Sequence, residues 1–140
     1  MTPARTPAAP LKPQDSSSEP SQQSVRITVP LIPPSVNHYW KHSVVCGHLH
    51  SYVTPTGKAF LDAVAIFSRG QRVDAKRYAV TYRIFLGKGD RGDLANFEKA
   101  IGDGLAKAGV IHSDDAIYEY HQYKDRDIEN PRTEIEVRAL

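Results

Sequence analysis

Apolar and polar residues alternate at Val25, Ile27 and Val29, and the period-two pattern predicts an opening strand over VRITVPL. Pro33 and Pro34 then end it, because proline donates no ladder hydrogen bond. HYWKHSVVCGHLHSYV follows, largely polar with Gly47 near its middle, and predicts a hairpin or an extended excursion. The period changes in TPTGKAFLDAVAIFSRG, where Phe60, Leu61, Val64 and Phe67 recur at helical spacing. Thr54 or Thr56 suits the cap, Pro55 the first turn and Gly70 the stop. RYAVTYRIFLG returns to alternation at Tyr78, Val80, Tyr82, Ile84 and Leu86, a strand. LANFEKAIGDGLAKAG predicts a second helix, with Leu94, Phe97, Ile101, Leu105 and Ala108 on its apolar face and Gly109 as its C-terminal cap. Gly102 and Gly104 inside it each cost roughly 1 kcal/mol against alanine, which points to close packing there, for instance by another backbone. AIYEYHQYK and NPRTEIEVRAL supply two closing strands. The order β, helix, β, helix, β, β predicts one α/β (α+β) domain, a mixed β-sheet with helices packed on it.

Composition narrows the class. The chain has 140 residues, enough for one domain. Residues 1–24 are rich in Pro, Ser and Gln, lack an apolar signal core and read as a disordered tail; 25–140 form the domain. No apolar run reaches the roughly 18 residues of a membrane span. A single cysteine, Cys46, excludes an intramolecular disulfide framework and fits a reducing cytoplasm. The net charge of +2 is compatible with nucleic acid but does not argue for it.

Candidate chemistry gathers in GDRGDLANFEKAIGDGLAKAGVIHSDD. Asp93 precedes the second helix, where its carboxylate can cap the N–H groups of residues 95 or 96 and complement the helix dipole. Asp114 and Asp115 follow the helix, where aspartates favour turns. The predicted helix is about 24 Å long, so the two ends converge only if the Asp93 loop folds toward the strand after Asp115, running back antiparallel along the sheet, or toward a second subunit. Converging carboxylates would hold Mg²⁺. Lys88, Arg91, Lys99, Lys107 and Lys124 lie near these acids, and Lys41 and Lys58 can extend a basic surface that neutralises phosphates. His38, His42, Cys46, His48 and His50 crowd one stretch; they read either as a polar, DNA-facing hairpin or as zinc ligands at a spacing that matches no strong zinc signature. Tyr39 and Trp40 read as core packing or as a wedge against DNA. Arg91-Gly92-Asp93 is a chance adhesion tripeptide, and GKGDRG lacks the full phosphate-loop pattern.

Taken together, Asp93-Leu94-Ala95-Asn96, Lys99, Asp103-Gly104-Leu105, Gly109-Val110-Ile111 and Asp114-Asp115 resemble the RusA-type Holliday junction resolvases of phages and prophages. VPLIPPSVNHYW is similar to that family's opening, TPTGKAFLDAV to the segment leading into its first helix and NPRTEIEVRAL to its last strand. The resemblance spans about residues 25–140. It implies a homodimeric α/β endodeoxyribonuclease of the bacterial cytoplasm, phage or prophage encoded. Such an enzyme binds four-way DNA junctions and cuts them with Mg²⁺, for which Mn²⁺ can substitute. By position it makes Asp93, Asp114 and Asp115 metal-ligand candidates. Position 95 joins Asp93, Lys99 and Asp115 in the catalytic set, Asn96 supports the site, and Lys99 meets the scissile phosphate.

One position departs from that pattern. The family usually carries aspartate where this chain has Ala95, and alanine coordinates nothing. Weak metal binding and crippled cleavage follow, whether the alanine arose by deliberate Asp→Ala inactivation or by natural loss. The competing expectation is therefore a catalytically dead protein that still binds DNA junctions or a partner.

Overall fold

The computed structural model describes residues 23–140; the expected N-terminal tail falls almost wholly outside them. Strand β1 (Ser24–Val29) is followed by a one-turn helix α1 (Val36–Tyr39), a hairpin of β2 (Trp40–Val45) and β3 (His48–Val53), and helix α2 (Pro55–Phe67). Strand β4 (Tyr78–Leu86), helix α3 (Glu98–Lys107), β5 (Ile117–Arg126) and β6 (Arg132–Ala139) complete the domain. The main sheet has the order β1-β6-β4-β5, and β2-β3 form a separate two-stranded sheet. The expected mixed sheet with helices is present. β4 and β5 pair in parallel, while β1–β6 and β4–β6 pair antiparallel.

Register explains the core. Val25 faces Val137, Ile27 faces Ile135, and Val80 and Tyr82 face Val137 and Ile135 across the next strand pair. Alternation therefore puts these residues on one side of the sheet. Phe60, Val64, Ile101 and Leu105 of α2 and α3 are buried in the same core. Among the described residues, no helix covers the other face. It carries Arg26 beside Glu136 at 3.6 Å, Arg138 beside Glu119 at 3.7 Å and Arg132 over the Phe85 ring at 3.9 Å.

Helix α2 begins as its sequence predicts. The Thr54 hydroxyl accepts the Gly57 N–H at 3.1 Å and donates to the His38 carbonyl at 2.8 Å. One buried threonine thus caps α2 and closes the base of the hairpin. Pro55 occupies the first turn, where its missing N–H costs nothing.

The second predicted helix is shorter than its apolar pattern. Leu94–Phe97 form a 3₁₀ turn and only Glu98–Lys107 are α-helical. The Leu94–Phe97 spacing of three residues fits either geometry, so hydrophobic period does not separate them. Gly102 and Gly104 do mark close packing, but against side chains rather than a backbone. A Cβ at Gly102 would lie 2.8 Å from the Tyr120 hydroxyl, and one at Gly104 would lie 3.1 Å from Val64.

Candidate functional site

β4, α3 and β5 form a crossover in which β5 returns alongside α3, parallel to β4 rather than antiparallel as the sequence suggested. That return path builds the site. Tyr120, Gln122 and Lys124 share the helix-facing side of β5, since they pair with Val80, Tyr82 and Ile84. Tyr120 lies against Gly102. Gln122 donates to the Glu98 carboxylate at 2.6 Å. Lys124 donates to the Gly92 carbonyl at 2.9 Å, tying the edge strand to the loop that carries Asp93. From the other side, the buried Tyr82 hydroxyl donates to the Leu94 carbonyl at 2.9 Å and fixes the start of the 3₁₀ turn.

A cleft of ≈ 300 Å³ opens between these elements, lined by Val36, Ala95, Glu98, Lys99, Gly102, Asp114 and Tyr120. Three of the predicted site residues meet here: Ala95, Lys99 and Asp114. The Lys99 ammonium is 3.2 Å from Asp103 and 3.9 Å from Asp114. It also sits 5.6 Å from the centre of the Trp40 ring, within cation–π range. Asp103 is in turn held by the buried Tyr39 hydroxyl, which donates to it at 2.7 Å. Burial, then the Asp103 bond and charge, push the Tyr39 phenol well above the ordinary tyrosine range. Burial and the charges of Glu98, Asp114 and Asp103 do the same for Tyr120. Both phenols therefore stay protonated and neutral at working pH, beside the carboxylates that surround Lys99.

Tyr39, Asp103 and Tyr120 are the contributors that sequence reasoning left out of the site. Asp103 stood within the motif, four residues from Lys99, a spacing that places two side chains on one helical face. Tyr39, 64 residues away in sequence, has no local signal. Tyr39→Phe is expected to destabilise the fold by about 1.5–3 kcal/mol, the range for losing a hydrogen bond to a charged acceptor. A urea melt checks this, and an unchanged midpoint would mean that Lys99 alone holds Asp103.

Asp93 lies elsewhere. It lines a neighbouring cleft with Arg91, Asn96, Lys124, Pro33, Pro34 and His38. The expected carboxylate cap is absent: Asp93 makes no side-chain cap bond, and its backbone carbonyl accepts the Asn96 N–H at 2.9 Å instead. Its carboxylate is exposed and uncommitted to the helix. Asp115 is also exposed, and its N–H is taken by the Ser113 hydroxyl at 3.2 Å. The adjacent Asp114, in the same 3₁₀ turn, points into the Ala95 cleft. Lys41, Lys58, Lys88 and Lys107 are all exposed on separate elements and line neither of these clefts.

Among the described residues, no three His, Cys, Asp or Glu side chains converge so as to hold a metal ion. In the acidic cleft, position 95 ends at a methyl group and offers no ligand. For the histidine stretch the reason is register. His42 pairs with Ser51, whereas His48 and His50 pair with Val45 and Ser43 on the opposite face of the hairpin. Cys46 sits in the turn at φ 52° and leaves the strand altogether.

The comparison with known proteins decides the family. The family described as Endodeoxyribonuclease RusA matches residues 30–138. The chain belongs to the RusA endodeoxyribonuclease family. A similar protein is the crossover junction endodeoxyribonuclease RusA of Enterobacteria phage 82, 31% identical over 117 residues, which span 81% of this chain and 93% of the phage protein. The RusA match begins at Pro30 and ends at Arg138, so it takes in both clefts, the hairpin and all of the last strand but Ala139. Among the described residues no helix is long and apolar enough to cross a membrane.

Proposed function

We propose that this RusA-family chain is a structure-specific DNA-binding protein of the resolvase type. It recognises four-way junctions as a homodimer and cleaves them weakly or not at all because of Ala95. The observation that carries this reading is the cleft in which Ala95, Lys99 and Asp114 meet. It has a cation suited to a phosphate and the Asp114 carboxylate beside it, while position 95 offers only a methyl group. Lys99 would turn from Asp103 and Asp114 toward a bound phosphodiester and stabilise its charge. Asp114 is the favoured acid of the Asp114-Asp115 pair, because it faces the cleft and Asp115 faces solvent. Asp93 would act from the adjoining cleft, with Asn96 supporting the turn and Arg91 and Lys124 neutralising phosphates. Lys41, Lys58, Lys88 and Lys107 would serve farther along the DNA. Mg²⁺, with Mn²⁺ as substitute, is the cation class that the cleft would take once position 95 carries an aspartate; the present residues do not fit it. Two-fold symmetry of a four-way junction matches a two-fold dimer.

The test is a gel shift with a labelled four-way junction and a linear duplex of the same sequence, with a parallel nicking assay in Mg²⁺ and Mn²⁺. Junction binding is expected to exceed duplex binding and to fall steeply with salt, as phosphate contacts require, with little or no nicking. Equal affinity for the two DNAs, or no binding to either, would sink the reading.

A further inference from the structure

We propose that the β2–β3 hairpin is a wedge that enters the branch point of a DNA junction, with the Val44–Leu49 pair set against the unstacked base pairs there. The inference rests on the reading that this chain binds branched DNA, and it names the element that distinguishes a branch from a duplex.

The hairpin serves no purpose in the core. Every residue from Lys41 to Tyr52 is exposed. An isolated two-stranded hairpin is marginal in water, and this one still carries bulky apolar groups: Val44 is 72% exposed and Leu49 is 70% exposed. These two residues are directly opposed across the strands. They form one apolar patch near the tip, just before the Val45–His48 pair and the Cys46-Gly47 turn.

Direction supports the assignment. Strand alternation puts Trp40, His42 and Val44 on one face, and the register adds Val53, Ser51 and Leu49 to it. Trp40 is the residue whose ring meets Lys99. The face bearing the apolar patch is thus continuous with the cleft that holds Lys99, Ala95 and Asp114. His42 and Ser51, joined at 2.7 Å, lie between the two. Four residues of strand separate Trp40 from Val44, about 13 Å at roughly 3.3 Å per residue. At about 3.4 Å per nucleotide along a duplex strand, that distance is a few base steps. The base of the arm is fixed where it leaves the domain, by the Thr54 bonds and by the Thr54 N–H to the Tyr39 carbonyl at 2.9 Å.

Charge selects DNA as the occupant. No acidic residue stands between Glu19 and Asp62, while Lys41, Lys58 and four histidines do. Nothing on the arm repels a phosphate backbone. Aliphatic side chains wedged between base steps must unstack them. That cost is least at a branch, where base pairs already lack one stacking neighbour, so an apolar tip on an arm free of acidic residues favours a junction over a duplex.

The test uses the full chain and the double variant Val44→Thr/Leu49→Thr. Threonine keeps the strand preference, and both sites are exposed, so a melt should match the parent. Each protein is titrated into a four-way junction carrying 2-aminopurine beside the branch point, and into a duplex. The parent is expected to raise the fluorescence of the junction probe. The variant should lose that signal, and its junction-to-duplex affinity ratio should fall by about tenfold or more, with duplex affinity held within about twofold. A variant that keeps both the signal and the ratio overturns the wedge. So does a variant whose lost junction binding accompanies a smaller oligomer by sedimentation, because the hairpin is then a contact between copies. If the parent itself does not separate junction from duplex, the functional reading fails and the wedge fails with it.

Discussion

Ala95→Asp is expected to convert a weak or silent protein into one that nicks four-way DNA junctions in Mg²⁺. Ala95 is exposed, so the substitution should cost the fold no more than about 0.5 kcal/mol. Its place is already set from both sides: the Tyr82 hydroxyl pins the Leu94 carbonyl, and the Asp93 carbonyl takes the Asn96 N–H. The new carboxylate would enter the cleft shared by Lys99 and Asp114. A bound divalent ion typically supplies several kcal/mol of charge stabilisation. At roughly 1.4 kcal/mol per tenfold, the gain in cleavage rate should be about 10²–10⁴. Two measurements check this separately. Calorimetric titration of Mn²⁺ without DNA should show binding to the variant much tighter than to the parent. Strand nicking of a labelled junction should appear in the variant and depend on the added metal. A variant that binds the cation no better than the parent would show that position 95 is not the missing ligand. Tighter binding without nicking would place the defect elsewhere in the site.

Gly92→Ala should be the most damaging small substitution in the loop beside the site. Gly92 has φ +151°, and a Cβ there would stand 2.5 Å from the Phe97 ring. Phe97 is fully buried and belongs to the core, so its ring has no free direction in which to withdraw. Backbone strain of about 1–3 kcal/mol and overpacking of about 1–3 kcal/mol add, giving an expected loss of about 2–6 kcal/mol. Gly89→Ala is the matched control. Gly89 also has positive φ, at +80°, but a Cβ there meets nothing within 4 Å. Its cost should be the backbone term alone, about 1–2 kcal/mol. Thermal melts of the two variants separate the contributions. Equal losses would mean that the Phe97 contact is unimportant. Gly92 also gives its carbonyl to Lys124, so the alanine variant should weaken DNA binding at temperatures where the fold survives.

The strands of the main sheet were the most legible part of this fold, because one of its faces is buried and the other is not. Val25, Ile27 and Val29 alternate in β1, and Tyr78, Val80, Tyr82, Ile84 and Leu86 mark the buried face of β4, so residue order alone shows both strands. Thr54 and Pro55 likewise announced the start of α2. What stayed hidden depended on non-local geometry. The parallel pairing of β5 with β4 brings Gln122 beside Tyr82, forty positions away, and no local pattern encodes it. The four-residue α1 is too short to show a period. At the site, the motif located Lys99 and the Asp114-Asp115 pair. It did not say which of two neighbouring aspartates turns inward, since a 3₁₀ turn decides that. Nor did it foresee that Asp93 and Asp114 would line different clefts, or that a buried tyrosine from α1 would brace Asp103.

The sheet order has a consequence for how the protein is made. β6 is the last strand in the chain, yet it lies between β1 and β4. Until Arg132–Ala139 has been synthesised, β1 has no neighbour to pair with and β4 has only β5. Domains that fold during translation do so as their elements emerge, but here the central strand emerges last. Closure of the sheet therefore waits for Arg132–Ala139, and the loops that the closed sheet supports take their final places only then.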